Sequence, residues 1–390
     1  MISPDDHWLI WTFLVGMAAV SINLEKKYEF AKKVTGAAIA VVCGMIASSI
    51  GLMPTTSFSY DIVWEYIVPL SIPLLLMKIN VFTIFRETGR LMGAFHLSAL
   101  GTIIGTSVAV YLLHNYIDNM ELIAPAMTGS YIGGGVNFVA LVSMFNPPAE
   151  LVNTTIVADS GVMIIYFLLL ILVPSSIFFR KFFPKTAKTS DVTGEDDGGT
   201  KQDYWQPNKI GLADIAKALA IAFIIAGMSI KISSFFNGEG MPEIVRSMLG
   251  QKFLILTTLC VIFPLLFPKT AKSITGNNEL GTFLIYVFFV AIGLPASIKS
   301  VIFGAPLMVL FCAIILLFNF LTTILLGKIF KFELEELVLA CVTTAGGPMN
   351  GVAIAISKQW TKLIIPSMMV GIWGYIIGTY IGYLTGLLLK

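Results

Sequence analysis

The sequence predicts an all-α polytopic membrane protein with about 12 (10–13) transmembrane segments in two structurally repeated halves. Two observations predict this fold class. Hydrophobic residues make up 56% of the chain and charged residues only 12%, with a mean hydropathy of +0.86. In addition, one eight-residue motif occurs once in each half. Soluble domains carry about 25% charged residues, so much of this apolar surface must face lipid. We therefore expect a protein of the cytoplasmic (inner) membrane.

Apolar segments of spanning length follow one another along both halves of the chain. In the first half they cover residues 8–24, 34–53, 62–79, 91–113, 122–145 and 153–178. In the second half they cover residues 210–232, 252–268, 280–298, 304–327, 335–357 and 361–389. The polar stretch between them predicts a solvated linker. The predicted organisation is an N-terminal repeat (1–179), a linker (180–209) and a C-terminal repeat (210–390).

The distribution of positive charge suggests that the two halves have opposite orientations in the membrane. Lys26, Lys27, Arg86 and Arg90 follow odd-numbered segments of the first half. From the central linker onwards, the basic residues collect in loops that follow even-numbered segments. The positive-inside rule then gives an inverted repeat. Two units of six consecutive crossings would point the same way. An inverted repeat therefore requires one segment that does not cross, or one further crossing.

The repeated motif has the form Gly-Gly-x-x-Asn-x-Val-Ala and begins at Gly133 and again at Gly346. Glycine and proline in mid-segment interrupt helical hydrogen bonding, and we expect two crossing discontinuous helices. Backbone groups freed at membrane depth are tolerated where they are buried in protein or line a polar cavity. Paired interruptions in corresponding places of two halves indicate a transporter's binding site.

We predict that the residues in and before the two motifs bind a solute. Half-helix N-termini favour anions and C-termini favour cations, while amides and hydroxyls offer oxygen ligands that suit sodium. Close helix packing through glycine is the alternative interpretation. The candidate binding residues are Thr128, Ser130, Gly133, Gly134, Gly135, Asn137, Thr343, Thr344, Gly346, Gly347 and Asn350.

Asp159 is the candidate ion-coupling residue. It lies inside the apolar segment that follows the first motif, and a carboxylate at membrane depth is costly and indicates a functional site. It could carry a proton or neutralise a bound cation, and a sodium ion could lie near Asn137, Asn350 and Asp159. Alternatively, Asp159 lies near the membrane surface or pairs with a lysine.

Enzyme motifs are missing from the sequence. It has no phosphate-binding loop, no His-Glu-x-x-His and no Gly-x-Ser-x-Gly. We expect no enzymatic activity and no cofactor other than sodium or a proton as the coupling ion. The net charge of +2 gives no indication of nucleic acid binding.

Four stretches resemble a known family. They are 129–137, which contains the first motif, the Ala158-Asp159 pair, Phe288 to Gly293, and Gly346 to Asn350. They are similar to the domain-of-unknown-function family number 819, which comprises bacterial and plastid membrane proteins. That family is grouped with the cation:proton antiporters, the bile-acid:sodium symporters and the sodium:glutamate symporter.

The resemblance implies an inverted-repeat transporter with a scaffold domain and a core domain that moves like an elevator. Asp159 falls where antiporters of the wider group carry an ion-binding acid. Ala158 stands where electrogenic antiporters have a second acid, which argues against simple sodium/proton exchange.

These observations favour a secondary active transporter for a small organic solute, anionic or zwitterionic, driven by sodium or protons. We place Asn137 and Asn350 at the centre of its site and expect a homodimer in the lipid bilayer. The alternatives are a monovalent cation/proton antiporter and, from another class, a channel or a non-transporting receptor.

Overall fold

A computed structural model describes residues 2–28, 31, 36–183, 210–238, 241–242, 245–246, 249–295 and 298–389. The predicted linker 180–209 therefore lies outside the described residues except at its first few positions. Each predicted apolar segment coincides with helix in the described part of the chain. The architecture is consequently helical from the first segment to the last.

The described N-terminal half contains long helices joined by short connections. Its helices are α1 (His7–Lys27), α2 (Gly36–Ser49), α3 (Phe58–Leu76), α4 (Val81–Thr88), α5 (Leu91–Leu113), α6 (Met120–Gly133), α7 (Gly135–Phe145), α8 (Ala149–Leu172) and α9 (Ile177–Phe182). Within α3, the turn Val63–Ile67 is a π-helix. It ends two residues before Pro69, which lacks the N–H that a regular α-helical turn would use.

The described C-terminal half follows the same pattern. Its helices are α10 (Leu212–Phe236), α11 (Lys252–Leu266), α12 (Pro268–Lys272), α13 (Asn277–Gly293), α14 (Ile298–Ile329), α15 (Leu334–Ser357) and α16 (Ile364–Leu388). A single 3-10 turn, Thr361–Leu363, leads into α16.

Eight of the described helices are long and apolar enough to cross a membrane, namely α1, α3, α5, α8, α10, α14, α15 and α16. Four more, α2, α7, α11 and α13, are apolar but shorter. The protein is therefore an integral, polytopic membrane protein. Twelve crossings stay a prediction, because four of the predicted segments form helices below the usual spanning length. The inverted repeat also stays a prediction.

Glycines bring α5 and α14 unusually close together. A Cβ atom on Gly101 would lie 2.8 Å from the Cα of Asn319, and one on Gly105 would lie 2.8 Å from the Cα of Ile315. Such close approach of two backbones is characteristic of helix packing in membranes. It places the side chains of α5 beside those of α14 and α15.

A second set of glycines packs α16 against the two interrupted helices. Gly374, Gly378 and Gly382 lie against backbone oxygens of α6, and Gly371 lies against Pro348 of α15. The four-residue spacing puts the first three on one face of α16. This helix therefore contacts both motifs and fixes their positions relative to each other.

We expect Gly101→Ala to lower the free energy of unfolding by about 1–3 kcal/mol, because its Cβ would meet backbone atoms that cannot rotate away. Gly227→Ala on α10 is the matched control, since its Cβ would meet no atom within 4 Å. This control should not be destabilised, because alanine has a higher helix propensity than glycine. Melting midpoints of the detergent-purified variants test this, and an unchanged midpoint for Gly101→Ala would contradict the close packing of α5 on α14.

Candidate functional site

The two motifs adopt the same backbone conformation at corresponding glycines. Gly134 has φ +84° and ψ −169°, and Gly347 has φ +76° and ψ −178°. Residues with a Cβ rarely adopt this conformation. The first interruption separates α6 from α7, and the second lies inside α15. The repeated glycine pair thus produces two equivalent helix breaks, at positions where only glycine fits without strain.

One cavity of about 510 Å³ lies beside both breaks. The first break contributes Ser130, Gly134 and Gly135 to its wall. The second break contributes Gly346 and Asn350. Segments more than half the chain apart in sequence therefore line one shared space.

Asp159 lines the same cavity from α8. The hydroxyl group of Tyr131, on α6, donates a hydrogen bond of 2.5 Å to Asp159 Oδ1. Among the described residues that line the cavity there is no lysine, arginine or histidine. Asp159 is thus held by a neutral donor, and its ion-coupling role stays a prediction.

The two motif asparagines have different surroundings. Asn137 is only 1% exposed; its Nδ2 donates to the Gly374 carbonyl at 3.2 Å, and its Oδ1 accepts from Thr379 Oγ1 at 2.7 Å. Asn350 is exposed to the cavity and donates to the Gly346 carbonyl at 2.6 Å. In this conformation Asn137 joins α7 to α16, and Asn350 is the asparagine that a solute can reach.

The predicted threonines lie behind the cavity wall and are fully buried. Thr128 Oγ1 donates to Thr106 Oγ1 on α5 at 3.0 Å. Thr343 Oγ1 donates to the Leu339 carbonyl at 2.7 Å within its own helix. Thr344 Oγ1 is 2.8 Å from Ser98 Oγ. Thr128 and Thr344 thus join the broken helices to α5, whereas Thr343 bonds within its own helix. A solute contact by any of the three stays a prediction.

The two remaining glycines of the prediction are also packed. Gly133 lies against Gly374 on α16, and Gly347 faces Tyr375. A Cβ atom at Gly134 or at Gly347 would lie 3.4 or 3.6 Å from Tyr375. Sequence reasoning missed Tyr375, which lies between the two breaks, because no motif surrounds it.

A buried polar network connects the broken helices behind the cavity. Asn319 Nδ2, on α14, donates to Ser98 Oγ at 2.8 Å and Thr102 Oγ1 at 2.9 Å on α5. Its Oδ1 accepts from the Tyr166 hydroxyl at 2.6 Å. Thr102 Oγ1 also reaches the Tyr131 carbonyl at 3.3 Å. Side chains of α5, α8 and α14 are thereby joined to α6 next to the first break.

Glu25 is a second carboxylate on the cavity wall, and sequence reasoning missed it. It lies near the end of α1 beside Lys26 and Lys27, a context that predicts a solvated helix end. The hydroxyl group of Tyr286, on α13, donates a hydrogen bond to Glu25 Oε2. Both cavity carboxylates are thus held by a tyrosine from a neighbouring helix.

The oxygen groups on the wall suit a hard cation. Ser130, Asn350 and Asp159 offer a hydroxyl, an amide and a carboxylate, which are ligand types that hard ions prefer. The described residues contain no group of three or more His, Cys, Asp or Glu side chains placed to hold a metal ion. The identity of the ion or solute at this site stays a prediction.

Two comparisons relate the chain to other proteins. The family model described as "Protein of unknown function (DUF819)" matches residues 12–390. An uncharacterized membrane protein of Bacillus subtilis (strain 168), YjcL, is 40% identical over 386 residues, which is 99% of this chain and 98% of the relative. The family match includes every residue of the cavity wall.

We expect Gly134→Ala and Gly347→Ala each to lower the free energy of unfolding by about 1–3 kcal/mol, because alanine at these φ values is strained. Gly135→Ala is the control within the same motif. A Cβ atom at Gly135 would meet no atom within 4 Å, and Gly135 has no positive φ. The measurement is the melting midpoint of each purified variant. Equal midpoints for Gly134→Ala and Gly135→Ala would show that the break does not depend on glycine.

Proposed function

The chain belongs to the DUF819 family, and we propose that it is a secondary active transporter that moves a small organic solute across the bacterial inner membrane. The single observation that carries the proposal is the cavity shared by the two helix breaks. Interrupted helices at membrane depth expose backbone groups that a bound solute can use. In transporters, such paired interruptions form the substrate site.

The size of the cavity favours an organic solute over an inorganic ion alone. Its volume of about 510 Å³ falls within the roughly 300–1,000 Å³ typical of small-molecule sites. A water-sized ion needs only about 10–30 Å³. Phe138, Phe167 and Phe289 line part of the wall and supply the apolar surface that such sites usually have.

Asp159 is the residue that we assign to ion coupling. A sodium ion or proton on its carboxylate would compete with the Tyr131 hydrogen bond and remove a bare charge from the cavity. Solute binding would then depend on the ion, which is the thermodynamic requirement for coupled transport: a solute that binds beside the ion would move with it, and a solute that uses the Asp159 charge itself would exchange for it.

The proposed movement is that of a core relative to a scaffold. The broken helices pack on α5 and α16, whereas α1, α2 and α13 pack on one another. The cavity lies between these two groups and α8: Glu25, Ala37 and Phe289 belong to the second group, eight lining residues belong to the broken helices of the first, and the other eight belong to α8. An elevator-type displacement of the first group would carry the site across the membrane.

A monovalent cation/proton antiporter is the second candidate. It is favoured by the position of Asp159 on the cavity wall, where no basic residue of the described chain neutralises it. Such an antiporter would be stabilised by sodium or potassium alone. Asp159→Asn would abolish that effect, and no organic solute would add to it.

Thermal stabilisation of the detergent-purified protein tests the transporter proposal. Amino acids, amines, carboxylates, sugars and short peptides are screened in sodium and in potassium buffers. We expect one solute class to raise the melting midpoint, since a ligand at about 100 times its Kd adds roughly 2.7 kcal/mol. We also expect Asn350→Ala to lose most of this stabilisation.

Asn23→Ala is the matched control for that experiment. Asn23 is also exposed and also donates to the carbonyl four residues earlier, Ala19, at 2.8 Å, but it lies outside the cavity. Stabilisation that survives in Asn350→Ala as fully as in Asn23→Ala would place the solute elsewhere. The absence of any stabilising solute would contradict the proposal itself.

A further inference from the structure

The charges on the cavity wall restrict what the cavity can bind. Its described lining contains two carboxylates, Glu25 from α1 and Asp159 from α8, and no basic side chain. Charges in a surrounding of low dielectric constant interact strongly. An anionic solute would meet two like charges there, whereas a cationic solute would find two partners.

The half-helix ends do not offset this negative charge. Each break presents one N-terminus, equivalent to about +0.5 charge, and one C-terminus, equivalent to about −0.5. Together the four ends roughly cancel, and the full charges of Glu25 and Asp159 decide the sign.

Each carboxylate keeps most of its capacity to accept hydrogen bonds. Tyr131 donates to Asp159, and Tyr286 donates to Glu25. An ionised carboxylate has about four acceptor positions, so one hydroxyl leaves room for an N–H donor or a cationic nitrogen. The tyrosines therefore orient the two acids without neutralising them.

Three phenylalanine side chains, Phe138, Phe167 and Phe289, share the wall with these acids. Aromatic ring faces attract organic ammonium groups and also pack against the attached carbon atoms. An inorganic ion has no carbon atoms and would gain nothing from this packing. Acids together with aromatic rings thus form a surface suited to an amine with an organic body.

We propose that the transported solute carries a protonated or quaternary amine, and that Glu25 and Asp159 bind this group together. The inference rests on the proposed transport function and names its substrate class. It narrows the expectation of an anionic or zwitterionic solute: a zwitterion fits through its amine, and a simple anion does not fit.

The test measures binding by thermal stabilisation, followed by counterflow of the labelled solute in proteoliposomes. The probes are choline, putrescine, glycine betaine, malate and glucose. We expect an amine-bearing probe to stabilise the protein and to exchange, whereas malate and glucose do neither. Glu25→Gln should weaken amine binding on the order of thirtyfold or more, because it removes one member of a buried charge pair.

Two variants control for charge and for folding. Glu25→Asp keeps the charge and should bind the amine more tightly than Glu25→Gln. Glu150→Gln removes an exposed acid from the N-terminal turn of α8, outside the cavity, and should bind as the unchanged protein does. Equal weakening by Glu25→Asp and Glu25→Gln, or no weakening by Glu25→Gln, would overturn the role of the Glu25 charge.

The outcomes also separate this inference from the transport proposal. If malate stabilises the protein and Asn350→Ala abolishes the effect, the cavity binds a solute but the proposed substrate class is wrong. If no probe and no member of the wider solute library stabilises or exchanges, both proposals fail.

Discussion

Every backbone group that a helix break frees inside a membrane must be buried in protein or must line a cavity. In this structure the constraint applies at Gly134 and Gly347, where the two helix breaks lie. Both glycines adopt a conformation that other residues rarely reach. The glycine face of α16 lets the backbone of α6 approach closely, and Pro348 lies against Gly371. Packing thus covers one side of the breaks, and the other side faces the cavity.

Hydroxyl and amide groups hold the broken helices in place from behind. Ser98, Thr102 and Thr106 recur every fourth residue on α5, so they form one polar row along that helix. The row reaches Thr344 before the second break, the Tyr131 carbonyl before the first break, and Thr128. Tyr131 also holds Asp159. The coupling candidate is therefore connected to both breaks through buried hydrogen bonds, which are costly to leave unmade in this surrounding.

Much of this arrangement could be predicted from sequence, because the glycine pair, the proline and the isolated acid act through local backbone geometry and desolvation. The family resemblance is confirmed across residues 12–390. That Asn137 is buried and Asn350 exposed could not be predicted, since the surroundings of Asn137 depend on Thr379 and Gly374 of a distant helix. Glu25 and Tyr375 were missed because their proximity to the breaks arises only from tertiary packing, and Glu25 follows an apolar segment in a run of charged residues.

The central claim is that the cavity beside the two breaks is reached from each side of the membrane in turn. Accessibility of Asn350→Cys to a membrane-impermeant thiol reagent tests it most directly, in a Cys43→Ala background, because the other three cysteines are buried. Leu325→Cys, at a side chain 62% exposed on α14, is the lipid-facing control. We expect Asn350→Cys to be labelled from either face of oriented vesicles, with the two rates changing in opposite directions when the ion gradient is reversed. Labelling from one face only under every gradient, or none at all, would contradict alternating access to this cavity.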